Sequence, residues 1–266
     1  PNDFRFRHFS VEDGLSSNSV RAIMQDKYGF LWIGTEEGLN RYDGIMIKSY
    51  SICPQAAGKY ISSLYGTKKN IWIGTDEGIY IYAYATETFT YFDLTTPNNV
   101  RITSIVNHIL QDKDGNLWFS TNGQGLFRYN LSKNYLEQYE FTSAFGIVAS
   151  TMADSDNQIW ALTNQGESGV YKLNKAENKF EPFGLLYNAG NHHSQALAML
   201  EDSEQTLWLG TWECGLQKID KYTRQTTTYL HPTDGKGVTH IHSLMEYAPH
   251  QLLIGSDDGL LLFNTL

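Results

Sequence analysis

Cysteine is nearly absent from this chain of 266 residues, at Cys53 and Cys214 alone. Two cysteines exclude a disulfide framework and a cysteine-based zinc site, and they fit either redox compartment. Proline is scarce, at six residues. No apolar run approaches the roughly 18–20 residues that a membrane-spanning helix needs, so direct membrane insertion of this piece is not expected. Positive charge is the minority sign. Twenty Lys and Arg face 29 Asp and Glu for a net charge of −9, the opposite of the basic footprint of a nucleic-acid scaffold. Nucleophile elbow, phosphate loop and Ser–His–Asp order are all missing, and no segment shows a capped 3.6-residue apolar period. The chain begins at Pro1 rather than Met; a trimmed or processed N-terminus is expected, which leaves room for a leader.

Aromatic residues and glycine are plentiful: 14% Phe, Trp and Tyr, and 23 Gly. They follow a repeat. Leu31-Trp32-Ile33-Gly34-Thr35 returns as Ile71-Trp72-Ile73-Gly74-Thr75, Leu117-Trp118-Phe119-Ser120-Thr121, Ile159-Trp160-Ala161-Leu162-Thr163 and Leu207-Trp208-Leu209-Gly210-Thr211. A sixth copy, Leu252-Leu253-Ile254-Gly255-Ser256, has Leu253 at the tryptophan position. The spacings are 40, 46, 42, 48 and 45 residues. Each unit reads as four short strands. In the first, strand a is Ser19–Gln25, b is Phe30–Thr35, c is Leu39–Tyr42 and d is Ile45–Ser51, with Gly and Asp-Gly turns between them.

Four strands every ~45 residues, with an aromatic residue and a glycine at fixed places, signal a β-propeller blade. The expected fold is all-β: a propeller of four-stranded blades with six repeat units visible, either six-bladed or part of a seven-bladed ring. Residues 1–266 form a single propeller domain in this reading. The strand Phe4–Phe9 is expected to supply strand d of the last blade and to cover an open sheet edge. Trp32, Trp72, Trp118, Trp160 and Trp208, with Gly38, Gly78, Gly125, Gly169, Gly215 and Gly259, are structural marks of the repeat.

The stretch Phe6–Tyr50 resembles the two-component regulator propeller repeat of the periplasmic sensor region of hybrid two-component systems of Bacteroidetes. The residues that carry it are Phe9, Asp13-Gly14-Leu15-Ser16, Asn18, Gln25-Asp26, Gly29, Leu31–Thr35, Gly38-Leu39 and Arg41-Tyr42-Asp43. The resemblance implies a periplasmic fragment of a larger inner-membrane sensor, with an oligosaccharide ligand that controls polysaccharide-utilisation genes. It implies no enzymatic activity and no cofactor in this fragment. In relatives such propellers usually have seven blades. The partners it implies are a second propeller and an immunoglobulin-like domain of the same chain, with a histidine kinase further on and a homodimer as one assembly.

Function on such a scaffold is expected where the units depart from their consensus. Short b–c turns in units one, two and six contrast with Asn122-Gly123-Gln124-Gly125, with 164–169 (Asn164, Gln165, Glu167) and with Trp212-Glu213-Cys214-Gly215. The link before unit five, 187–194, is long and polar, with Tyr187, Asn188, Asn191, His192 and His193. The irregular turns of units four and five and this link are expected to gather at one rim. There they offer an aromatic plate (Trp212), amides, carboxylates (Glu167, Glu213) and imidazoles, an inventory that suits a sugar. The competing reading makes Trp212 a filler between blades.

Asp112-Lys113-Asp114-Gly115-Asn116 has the look of half a calcium loop but lacks the twelfth-position acid. The stretches starting at Asp154 and Asp202 recur in step with it, so a side-chain-capped turn is the better reading. No metal is expected, since His192-His193 lack a third ligand. His240 and His242 share a face by alternation and are read as polar residues lining the channel. A glycosidase or polysaccharide lyase built on Glu167, Glu213, Tyr187 and the histidines is the alternative function. Absence of arginine from the irregular loops disfavours a sialidase, and a protein-interaction propeller rests on fold analogy alone.

Overall fold

The computed structural model describes residues 6–53, 59–141, 146–163, 169–184, 195–232, 235 and 237–266. Among them there is no α-helix, only a 3-10 turn at Val11–Asp13, and the remaining regular structure is strand. Four consecutive strands make the first sheet: β1 (Val20–Gln25), β2 (Leu31–Thr35), β3 (Gly38–Tyr42) and β4 (Ile47–Tyr50). The second is β5 (Ile61–Gly66), β6 (Asn70–Thr75), β7 (Gly78–Ala83) and β8 (Thr88–Tyr91). The third comprises β9 (Val106–Gln111), β10 (Leu117–Thr121), β11 (Leu126–Asn130) and β12 (Tyr135–Tyr139). The fourth runs through β13 (Val148–Ala153), β14 (Ile159–Thr163), β15 (Val170–Asn174) and β16 (Lys179–Pro182). The fifth has β17 (Ala196–Glu201), β18 (Leu207–Thr211), β19 (Leu216–Ile219) and β20 (Thr226–Tyr229). The sixth has three strands, β21 (Ile241–Ala248), β22 (Gln251–Ser256) and β23 (Gly259–Asn264). Each sheet is an antiparallel meander in chain order, the blade plan of a β-propeller. Two compact units, Pro1–Ile109 and Leu110–Leu266, divide the chain, and their boundary falls inside β9.

One hydrogen-bonding device sets the repeat. Asp202 sits at the turn between β17 and β18. Its Oδ1 accepts the N–H groups of Glu204 and Thr206 at 3.1 and 2.8 Å, and its Oδ2 accepts Trp208 Nε1–H at 2.7 Å. Asp26 does the same for Trp32 at 2.8 Å, Asp112 for Trp118 at 2.7 Å and Asp154 for Trp160 at 2.9 Å. The aspartates are therefore turn caps, as their recurrence suggests. The second sheet has Gly66 at that position, and Thr67 Oγ1 instead accepts Asn70 N–H at 3.0 Å. In the sixth sheet the tryptophan and its aspartate are both missing, replaced by Leu253 and Tyr247.

Fixed in this way, each indole is buried against the following sheet. Trp32 lies among Ile61, Ile71, Ile73 and Tyr82 in the first unit. In the second unit, Trp160 meets Leu207 and Leu209, and Trp208 meets Ile241, Leu252 and Ile254. Each such burial contributes roughly 1.5–3 kcal/mol. The repeat glycine of strand b admits the next sheet's first residue. A Cβ on Gly34 would lie 2.5 Å from Ile61 Cγ2, and one on Gly210 would lie 2.5 Å from Ile241 Cγ2. The turn glycines Gly38, Gly78, Gly125, Gly169, Gly215 and Gly259 all have positive φ.

The strand expected at Phe4–Phe9 lies partly outside the described residues. Its remainder, Phe6–Phe9, has no strand conformation. Phe9 instead packs on Tyr42 of β3, with ring centroids 4.8 Å apart, and Arg7 donates to Tyr42 Oη at 2.8 Å. A capping box between Ser10 and Asp13 then turns the chain. The sixth sheet leaves Met245, Leu260 and Leu262 exposed on its outer face.

Two outcomes follow from these contacts. Replacing Asp202 with Ala strands the indole and two backbone donors, at a cost of about 2–3 kcal/mol. Trp208→Leu relieves part of that cost, so a double-mutant cycle followed by urea unfolding reads a coupling of about 1 kcal/mol or more. His108 on β9 presents a different case. Burial pushes its imidazole down to about 4, and its Nδ1 has no hydrogen-bond partner. The unfolded imidazole takes its proton near 6.5 and the folded one near 4, so stability present above 6.5 is lost as pH falls across that window. Unfolding midpoints of His108→Phe should fall less steeply than those of the parent chain between those pH values.

Candidate functional site

A constellation of side chains gathers at the b–c end of the fifth and sixth sheets, within the second unit. The b–c turn of the fifth sheet leaves β18 at Thr211. Thr211 Oγ1 donates to Gly215 O at 2.7 Å and accepts Cys214 N–H at 3.2 Å. Thr35, Thr75 and Thr121 brace their own turns in the same way. The turn is stitched to both flanking links: Trp212 N–H donates to Gln195 O at 2.9 Å, and Glu213 N–H donates to Thr239 O at 2.8 Å. Glu213 holds a positive φ of 67°.

Trp212 thus projects at 40% exposure and stacks on His240, with ring centroids 3.6 Å apart and planes 27° from parallel. His240 Nδ1 meets Asp257 Oδ2, and His242 Nε2 meets Asp257 Oδ1 at 2.7 Å. Hydrogen bonds from His240 and then His242 hold the Asp257 carboxyl below the usual carboxylate range. The carboxylate form accepts from both rings, which places protons on His240 Nδ1 and His242 Nε2.

A bulge makes this convergence possible. Every pairing of strands a and b described for sheets one, two, four, five and six has a register shift after the first residue pair, which in β21 falls between Ile241 and Ser243. In sheets one and six the bulged residue meets the acid that opens the b–c turn. In sheet one this pairs Arg21 with Glu36, and in sheet six His242 with Asp257. His240 and His242 are therefore held by a carboxylate and an indole, a role that strand alternation alone does not show. Asp257 lies 15 residues from His242, and its signal in the sequence is an acid directly after the last residue of strand b.

Of the residues singled out by sequence, Trp212 and Glu213 belong to this constellation. Asn122 bridges Ile147, and Gln124 O accepts Gln138 Nε2–H at 2.9 Å, so both sit at the b–c turn of the third sheet. Asn164, Gln165, Glu167, Tyr187, Asn188, Asn191, His192 and His193 lie outside the described residues. Cys53 and Cys214 are free thiols. Among the described residues no group of three His, Cys, Asp or Glu side chains is disposed to hold a metal ion. No helix there is long and apolar enough to cross a membrane. The arrangement offers a flat aromatic surface beside a charged acceptor and imidazole donors.

Comparison with known proteins agrees with the repeat. Residues 14–37 and 99–123 match the family model of the two component regulator propeller. A curated relative, histidine kinase P4 of Formosa agariphila, is 26% identical over 280 residues that span 99% of this chain and 20% of its own length. The extracellular domain of a hybrid two component system from B. thetaiotaomicron superposes with a TM-score of 0.79 at 24% identity, over 97% of this chain and 35% of that one. Streptogramin B lyase superposes with a TM-score of 0.68 at 18% identity, over 94% of this chain and 84% of its own. The chain thus spans a fifth of the curated relative and about a third of the extracellular domain.

Trp212 and its imidazole partners should respond together when the carboxylate is removed. In Asp257→Ala the indole emission shifts to the red as the stack loosens, while the thermal midpoint stays within a degree or two, because these side chains are exposed. Steady-state fluorescence read beside a melting curve checks both.

Proposed function

We propose that this chain is part of the ligand-sensing input region of a hybrid two-component histidine kinase, exposed outside the cytoplasmic membrane. In this reading Pro1–Leu266 acts as a propeller domain without enzymatic activity, in a chain that carries further domains and signals as a homodimer. The repeat match and the likeness to extracellular sensor domains support an input role. The ligand is an oligosaccharide that controls polysaccharide-utilisation genes.

One observation carries the ligand class: Trp212 stands exposed at the rim beside the His240–Asp257–His242 network. The C–H face of a pyranose stacks on an indole, and carboxylate and imidazole groups take its hydroxyls. Glu213 adjoins this surface. The irregular loops carrying Asn164, Gln165, Glu167, Asn191, His192 and His193 extend the site in this proposal, and Asn122 and Gln124 belong to it at the third sheet. Ligand binding can bias signalling only through a difference in affinity between two states.

A second reading draws on the pairing of His240 with Asp257. A carboxylate-held imidazole is the arrangement of a general base, and a lyase shares the fold. Titration calorimetry of the chain against neutral oligosaccharides, with product analysis of the same samples, separates the two. Binding without new products, weakened about tenfold or more by Trp212→Ala, supports the sensor. Unchanged affinity in Trp212→Ala removes this rim from the ligand site, and chain cleavage establishes the lyase.

A further inference from the structure

The opposite end of the fourth and fifth sheets, where the a–b and c–d turns lie, carries features that the scaffold does not call for. The c–d turns share one plan of five residues whose last member has positive φ. In the third, fourth and fifth sheets they are Asn130–Asn134, Asn174–Asn178 and Asp220–Arg224, with φ of 47°, 51° and 62° at the last residue, and in the second sheet the turn Ala83–Glu87 ends on Glu87 at 53°. Asparagine suits that left-handed position, and arginine does not. The middle position is Ser132, Ala176 and then Tyr222. Tyr222 is 92% exposed, so it contributes almost nothing to packing. Two unfavourable choices, an arginine in left-handed backbone and a bare aromatic ring, therefore fall in one turn.

Both line clefts. One cleft, of about 540 Å³, lies between this turn and the fourth sheet, with Lys172, Lys175, Arg224 and Tyr222 on its walls. The other, of about 510 Å³, lies on the fifth sheet and includes Tyr222 and Lys218. Tyr222 is thus a ridge between two hollows, each within the size range of small-molecule sites. The first cleft concentrates cations on a chain whose net charge is −9. Lys221, also in its wall, is held by Glu201 and by Asp154 at 3.7 Å. Lys172, Lys175 and Arg224 pair with no carboxylate among the described residues. Arg224 lies over the Phe183 ring at 5.3 Å, and Lys172 over Trp160 at 5.3 Å. Glu181 is the one acid in the wall, and it accepts Asn174 Nδ2–H at 3.0 Å.

We infer that the Tyr222 ridge and the cation-lined cleft beside it form a second carbohydrate site, one that takes an acidic oligosaccharide bearing carboxylate or sulfate groups. The ring stacks one sugar while Lys172, Lys175 and Arg224 take the anionic groups of its neighbour. The overall charge opposes nucleic acid. The site lies at the other end of the sheets from Trp212 and does not depend on that rim.

The test is calorimetric titration of the full chain at about 50 mM salt with tetragalacturonate, a heparin tetrasaccharide, cellotetraose and hexaglutamate. At least one of the two acidic tetrasaccharides should bind, and cellotetraose about tenfold or more weaker in the Trp212→Ala background, which silences the first site. Whichever acidic sugar binds identifies carboxylate or sulfate as the preferred group. Tyr222→Ala and Arg224→Gln should each weaken that binding about tenfold or more, and raising salt to about 0.3 M should weaken it further. Near-ultraviolet circular dichroism confirms that the variants fold, and Tyr222→Ala, at a bare surface position, remains informative if Arg224→Gln is unstable. Failure of both acidic sugars to bind overturns the inference. So does hexaglutamate binding equally well, or Tyr222→Ala leaving affinity unchanged, since either result reduces the cleft to a diffuse positive patch. Loss of neutral-sugar binding in Trp212→Ala with acidic-sugar binding intact separates this site from the rim.

Discussion

A hydrogen bond from a buried indole to a buried turn carboxylate is the constraint on which the rest of this structure depends. In four sheets one aspartate takes the Nε1–H of the tryptophan six residues on. Asp26, Asp154 and Asp202 also accept two backbone N–H groups that close the a–b hairpin, and Asp112 accepts the backbone N–H and side-chain amide of Asn116. Burying a carboxylate is costly unless its lone pairs are taken, and burying an indole is costly unless its N–H is. Each group satisfies the other. The bond also fixes the direction of the indole and so the face against which the next sheet packs. The sixth sheet lacks both partners, with Leu253 and Tyr247 in their places, whereas the second keeps a buried Trp72 with Gly66 at the aspartate position.

Much of this was legible in the sequence because the device is local. Trp and Gly recur at fixed places in units of similar length, and Asp112, Asp154 and Asp202 recur in step at the a–b turn. That spacing was enough to read the strands and to assign the aspartates to turn capping rather than to calcium. The indole as the third partner was less visible, since a strand pattern shows which face a side chain takes but not which atom it reaches. Thr35, Thr75, Thr121 and Thr211 read as strand ends, yet their hydroxyls brace the b–c turns. At the N-terminus the stretch Phe4–Phe9 read as strand. Arg7 and Phe9 instead find Tyr42, a tertiary contact that alternation cannot encode.

The candidate site was legible only in part, for a physical reason. Trp212 stands out because it is the one tryptophan not used by the repeat. His240 and His242 were visible as a same-face pair, but their partner was not. A β-bulge adds a residue on one strand and re-aims the side chain there, so the pairing of His242 with Asp257 belongs to the register rather than to the composition. Arg21 with Glu36 in the first sheet is the same geometry with different chemistry. The position is therefore a socket of the scaffold, and the histidines and Trp212 are what the sixth and fifth sheets place around it.

Because the indole–carboxylate bond, in the four sheets that have it, is internal to the sheet, the turns at both ends can change without loosening the core. The b–c turns are braced by a hydroxyl and a glycine with positive φ, which leaves the residues between them unconstrained. The c–d turns need only a left-handed last residue, and Asn134 and Asn178 supply it at little strain. Arg224 supplies it at greater strain, as Glu87 does in the second sheet, and Arg224 alone has a bare aromatic residue, Tyr222, two positions before it. A turn indifferent to its middle residues would settle on the least strained ones. The fifth sheet departs from that at both of its ends, at Trp212 and at Tyr222–Arg224, on strands whose core contacts match those of its neighbours. Turns that depart from their neighbours on an unchanged scaffold are where a site is to be sought.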